Sequence, residues 1–215
     1  MNRANANFAE SVRARLLNVA KAQGVDFNQV LVRFALERIL YRLTQSQHAD
    51  RFLLKGALLF TLWYDMPHRA TRDADTVTPA PVDSVYPVLL DDLPAPRLRA
   101  YPKYTVIAEK LHAIALLGMT NSRLKDYFDL SVLLERETLD TDVLAQAIKA
   151  TFERRGTAVP KTLPSGLSDE FTNDSSRQSL WLAFLKKNAL PPKPLPAIVD
   201  RLRSALAPAL NRAGL

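Results

Sequence analysis

Residues 51–75 read Arg51-Phe-Leu-Leu-Lys-Gly-Ala-Leu-Leu-Phe-Thr-Leu-Trp-Tyr-Asp-Met-Pro-His-Arg-Ala-Thr-Arg-Asp-Ala-Asp75. The run Phe52-Leu53-Leu54 predicts a short buried strand. Lys55-Gly56-Ala57 predicts a turn, and Leu58 to Trp63 a short apolar helix. Beyond a polar turn around Pro67 comes Thr71-Arg72-Asp73-Ala74-Asp75. Carboxylates two residues apart point to the same side of an extended strand. That spacing suits a hard cation such as Mg²⁺, which takes oxygen ligands and bridges to substrate phosphates. A glycine turn, a helix N-terminus and a paired-aspartate strand together suit a nucleoside triphosphate. An Asp-x-Asp pair alone is more often a pair of solvated loop residues.

The chain has 215 residues, 47% of them apolar, enough for one large or two small cores. Its net charge of +7 favours an anionic partner, nucleotide or nucleic acid, although basic proteins without such a partner are common. There is no cysteine, so disulfides, thiolate zinc sites and cysteine nucleophiles are excluded. Three scattered histidines, His48, His68 and His112, argue against a histidine metal site. No stretch reads as a signal peptide or a membrane span, so a cytoplasmic protein is expected.

Apolar positions Phe8, Val12, Leu16, Val19 and Ala20 predict a helix over about 7–22, ended by Gly24. Asp26 is placed to cap a second helix running to about Ser46. Arg33, Arg38 and Arg42 form a basic line on it, either a solvated face or an RNA-facing stripe. Residues 76–102 carry six prolines and predict loop with one or two edge strands, one of them at Arg97–Pro102. Helices follow, one capped by Thr105 and running to Gly118, one capped by Ser122. A third covers Asp140–Arg154 and is stopped by Gly156. A polar linker over 160–175 and helices at 176–188 and 197–206 complete the reading.

A second charged constellation lies in Ala108-Glu109-Lys110-Leu111-His112-Ala113 and Asn121-Ser122-Arg123-Leu124-Lys125-Asp126-Tyr127-Phe128-Asp129-Leu130. Asp126 and Asp129 are neighbours on one helical face. Two amphipathic helices with ordinary surface ion pairs would give the same pattern.

Lys55-Gly56-Ala57-Leu58-Leu59 followed by Thr71-Arg72-Asp73-Ala74-Asp75 resembles the first two motifs of the AbiEii/AbiGii nucleotidyltransferase toxin family. The Glu109-Lys110-Leu111 helix and the Lys125-Asp126-x-x-Asp129-Leu130 helix resemble its later motifs, in the family's order, over about Phe8 to Gly156. The resemblance implies an α+β fold: a small mixed sheet flanked by helices, with a helical C-terminal part. It divides the chain into a nucleotidyltransferase-like part over 1–102 and a helical part over 103–215. By position it implies Asp73 and Asp75 as Mg²⁺ ligands and, with Lys110 and Asp126, as the catalytic set. Lys110 would neutralise phosphate charge, and Asp126 would complete the polar site or act as base. Lys55, Gly56, Thr71, Arg72, Lys125 and Asp129 would form the nucleotide-binding set. Gly56 would admit the triphosphate to the backbone, and Thr71 would contact phosphate or order its strand.

The sequence departs from the family in one place. Asp75 runs directly into Thr76-Val77-Thr78-Pro79, where similar members carry further strands and another acidic residue. A segment is therefore missing near 73–78, by deletion or omission, and the sheet is truncated, with edges left uncovered. Two principal readings follow. One is a Mg²⁺-dependent toxin transferring a nucleoside monophosphate from an NTP to RNA, tRNA foremost, with a cognate antitoxin as partner. The other is an inactive truncated homologue acting as an RNA- or protein-binding module. A DNA-binding regulator ranks below both, for want of a recognition-helix signature.

Overall fold

The computed structural model describes residues 3–64 and 81–214. The chain divides into two compact units, Met1–Tyr101 and Pro102–Leu215.

In the first unit, α1 (Arg3–Gln23) and α2 (Phe27–Thr44) form a helical hairpin. Gly24, at φ +63°, takes the left-handed turn between them. Asp26 caps α2 by accepting the Asn28 N–H at 2.9 Å, as its position predicts. Val12, Leu16, Ala20 and Val30 pack with Leu90 in one small core. Strand β1 (Val82–Val85) pairs antiparallel with β2 (Arg97–Ala100), Val82 opposite Ala100 and Val85 opposite Arg97. The connection between the two strands supplies Leu89, Leu90 and Leu93 to the helical hairpin.

Glu37, buried on α2, fixes that connection by accepting the Leu89 N–H at 2.8 Å. Its neighbour Arg38 lies 2.6 Å from the Glu37 carboxylate and donates to the Pro94 carbonyl. Arg38 is therefore a structural tie rather than part of an open basic stripe.

The strand expected at Phe52–Leu54 reduces to one residue. Leu54 forms an isolated parallel bridge with Ala100, donating to Arg99 O and accepting from Tyr101 N. Phe52 is held by its own N–H, which bonds back to Ala49 O in a 3₁₀ turn, and so does not extend the pairing. Strand β2 thus has one parallel and one antiparallel neighbour, a minimal mixed sheet. After Gly56, at φ +75°, the short helix α3 (Leu58–Tyr64) buries Leu58, Leu59, Phe60 and Thr61.

The second unit is all helical among its described residues: α4 (Lys103–Leu117), α5 (Leu124–Arg136), α6 (Thr141–Arg154), α7 (Asp169–Asn173), α8 (Ser175–Lys187) and α9 (Leu195–Ala213). Helix α4 packs on α5 and α6, and both of these pack on α9. Ile107, Leu111, Ile114, Leu130, Ile148 and Leu202 are wholly buried. Asp140, expected as the first residue of this helix, instead caps α6, and Gly156, at φ +65°, follows it as the sequence predicts.

Four local expectations are corrected. Helix α4 starts at Lys103 behind Pro102, leaving Thr105 inside the first turns and buried. Ser122 caps nothing; the Asn121 side chain accepts the Arg123 N–H just before α5 instead. The segment 160–175 is no polar linker, because it folds into a 3₁₀ turn and α7 and buries Leu167 and Phe171. Helix α9 passes Leu206 and tolerates Pro208, since Ala209, Leu210 and Ala213 continue its buried stripe. Among the described residues the chain is α+β and mainly helical, with a two-stranded sheet and a helical C-terminal part.

Candidate active site

The turn before α3 is built by Gly56. Nothing lies within 4 Å of where a Cβ would stand, so the glycine answers the backbone handedness rather than crowding. Lys55 beside it is half-buried, its ammonium 5.2 Å from the centre of the buried Tyr101 ring, a cation–π contact. Thr71, Arg72, Asp73 and Asp75, and the join near 73–78, lie outside the described residues.

The second constellation forms a compact charged cluster. Helix α4 presents Lys110 beside its apolar stripe, and α5 presents Asp126 and Asp129 one turn apart. Lys110 Nζ donates to Asp126 Oδ1 at 2.8 Å and to Asp129 Oδ2 at 2.7 Å. Both aspartate side chains are 1% exposed and the lysine side chain 14%. Surface ion pairing is thereby excluded as the explanation of this motif.

Burial works against the Lys110 ammonium, but the charges of Asp129 and Asp126 and their hydrogen bonds outweigh it, so its pKa is raised. Arg123 joins the cluster from just before α5, its Nε 2.8 Å from Asp126 Oδ2. Two cations thus face two carboxylates. The Arg123 contact is an ion pair without hydrogen-bond alignment, so Asp126 Oδ2 has no directed donor. An ammonium carries three N–H groups, and the two aspartates use two of those on Lys110.

Lys125 is exposed, as its place one residue from the buried Asp126 dictates, and does not join the cluster. Arg123 is the member that sequence reasoning left without a role. Its signal was present, since it stands three residues before Asp126 on the same helical face.

His112, on α4, is buried with Nε2 3.0 Å from Thr157 Oγ1 and its ring edge-on to Phe152. Burial, and then the charge of Arg155, lowers its pKa against the opposing effect of Glu109. It is a packed core histidine. Among the described residues, no group of three or more His, Cys, Asp or Glu side chains is arranged to hold a metal ion. Asp126 and Asp129 do not fit one, because the Lys110 ammonium already sits between them.

The family model for the nucleotidyl transferase AbiEii toxin, Type IV TA system, matches residues 38–80 and 75–207. The chain belongs to this family. The match begins at 38 rather than near Phe8 and runs on to 207, well beyond Gly156. Its first stretch contains the Gly56 turn and the Asp73-Ala74-Asp75 pair, and its second contains Lys110, Arg123, Asp126 and Asp129. The AbiEii toxins are nucleotidyl transferases of toxin–antitoxin systems, so membership implies an NTP substrate and an antitoxin partner. No curated protein matches the chain. No described helix is long and apolar enough to cross a membrane.

Proposed function

We propose that this AbiEii-family protein is a Mg²⁺-dependent toxin of the cytoplasm that transfers a nucleoside monophosphate from an NTP to RNA, with tRNA as the acceptor. The observation that carries this reading is the buried Lys110–Asp126–Asp129 cluster within a chain whose family is nucleotidyl transferase. Burying two carboxylates and a lysine is expensive, and an apolar trio of the same volume would stabilise the fold as well or better. Retaining the charges points to chemistry.

The proposed roles are as follows. The third N–H of Lys110 is directed to a phosphate oxygen of the incoming triphosphate, while the two aspartates hold the ammonium in place. Arg123, half-exposed over Asp126, is drawn to the same phosphate charge. Its departure uncovers Asp126 Oδ2, the oxygen without an aligned donor, which then accepts the proton of the attacking RNA hydroxyl. Asp129 holds Lys110 rather than touching nucleotide. Asp73 and Asp75 are the proposed ligands of Mg²⁺, which would supply charge neutralisation as the nucleotidyl group passes to the RNA oxygen and pyrophosphate leaves. Lys55, Gly56, Thr71 and Arg72 are proposed as nucleotide contacts on the strength of the motif that contains them. Lys125, exposed and turned from the cluster, is assigned to RNA or nucleotide at the rim.

A second reading, the inactive truncated homologue that binds RNA or protein, is favoured by one observation: the family match falls into two stretches that meet at 75–80. A binding experiment separates the two. The enzyme binds NTP only with Mg²⁺ and loses that binding in Asp73→Ala. The binding module holds RNA with an affinity that falls with salt and is indifferent to that substitution.

A further inference from the structure

Between α4, which carries Lys110, and α5, which carries Asp126 and Asp129, the chain makes a turn over 118–123. The register of α5 against α4, and with it the Lys110 to Asp126 distance, depends on that turn. A cation from elsewhere in the unit holds it. Arg177, in the first turn of α8, donates from one terminal nitrogen to Asn121 O at 2.6 Å and from the other to Met119 O at 2.5 Å.

The Arg177 backbone is itself fixed, because its N–H is the one that the Asp174 cap accepts. Its guanidinium lies over the Phe171 ring at 5.3 Å, and Phe171 stacks on Tyr127, the residue next to Asp126, with ring centres 5.2 Å apart and planes within 12°. From the same turn, the Asn121 side-chain oxygen accepts the Arg123 N–H at 2.8 Å. The Tyr127 hydroxyl donates to Gly166 O at 2.8 Å. The contact at Gly166 leaves no room for a side chain, since a Cβ there would stand 3.0 Å from that hydroxyl and 2.8 Å from Ile114 O.

We infer that Arg177 is a positioning residue for nucleotidyl transfer, holding the α4–α5 turn and Tyr127 so that Lys110, Arg123 and Asp126 keep their working geometry. The inference rests on the reading of that cluster given above. Arg177 touches none of the charged members. Its two hydrogen bonds run to carbonyls two and four residues before Arg123, and its ring contact runs through Phe171 to the residue after Asp126. The planar fork of arginine reaches both carbonyls at once and stacks on the ring, whereas a lysine ammonium reaches one carbonyl and does not stack in the same way. Removing the fork leaves the fold its apolar core and frees the turn. Misplacement of reacting groups by about an ångström lowers turnover by up to roughly 10²-fold.

The test compares wild type, Arg177→Ala, Arg177→Lys and Arg201→Gln. The last breaks a surface contact to Glu135 near the other end of α5 and serves as control. Two readouts are taken on the full chain: amide hydrogen exchange without nucleotide, and kcat and KM for NTP in transfer to tRNA. Arg177→Ala is expected to speed exchange over 119–129 about 10-fold or more with α9 unchanged, and to lower kcat about 10-fold or more with KM held within about 2-fold. Arg177→Lys falls between, and Arg201→Gln matches wild type. Exchange that is unchanged, or accelerated evenly through the unit, overturns the inference, as does an unchanged kcat in an active enzyme. If wild type transfers nothing, the nucleotidyl-transfer reading of the cluster fails on its own. The exchange data then decide Arg177: acceleration confined to 119–129 supports positioning of the cluster, and any other pattern refutes it.

Discussion

Replacing Lys110 by methionine removes the ammonium that donates to both Asp126 and Asp129. Each of these side chains is 1% exposed, and their carboxylates then face one another without the ammonium between them. Arg123 stays beside Asp126, but at 51% side-chain exposure it offsets only part of that charge. Breaking a buried pair by removing one partner destabilises by about 3–5 kcal/mol, because the remaining charge stays buried. For a chain of this size that lowers Tm by on the order of 10 °C.

The double substitution Lys110→Met with Asp129→Asn removes one of the two buried carboxylate charges and recovers most of the loss, since neutral replacements of a buried ion pair are often tolerated. The sign with pH follows from linkage. The folded Lys110 pKa is raised above the ordinary lysine value of 10.5, so its stabilisation is complete below about that pH and disappears as pH rises through the folded value. Lys110→Met abolishes this alkaline loss. The assay is urea unfolding of wild type, single and double variants at neutral pH, with a second series in alkaline buffers. A loss under about 1 kcal/mol for the single variant, or no recovery in the double, refutes the buried cluster.

Two further predictions follow from single residues. Gly56→Ala places a Cβ in open space at φ +75°, so it costs about 1–2 kcal/mol through backbone strain without a clash, read as a shift of the urea midpoint at unchanged slope. His112 is held below its ordinary value of 6.5, so its contribution is full above that pH and declines as pH falls from there toward the folded pKa. Thermal melts between about pH 5 and 7.5 should show this acid loss in wild type and a reduced slope in His112→Gln.

Local signals were legible wherever a single residue decides the local geometry. Gly24, Gly56 and Gly156 take positive φ, and Asp26 caps the helix it precedes. Spacing put Asp126 and Asp129 on one face, yet only the tertiary fold shows that Lys110, 16 and 19 residues earlier, lies between them and that both carboxylates are buried. The apolar run at Phe52–Leu54 promised a strand, but the length of pairing depends on a distant partner, and β2 engages Leu54 alone. Leu167 and Phe171 were hidden in a segment of low apolar content because burial there needs only two anchors. Arg177 carried no signal, since its partners are backbone carbonyls 56 and 58 residues away, and every residue type supplies those. Its neighbourhood from Ser176 onward read as plain packing for the same reason.

The most direct test of the account is nucleotide transfer itself. Purified protein of verified mass and fold is incubated with total tRNA, Mg²⁺ and each α-labelled NTP in turn, beside Asp73→Ala. The account predicts label on tRNA from one or more of the nucleotides with wild type and none with Asp73→Ala. No label from the folded wild-type protein with any nucleotide, or equal label with Asp73→Ala, would contradict it.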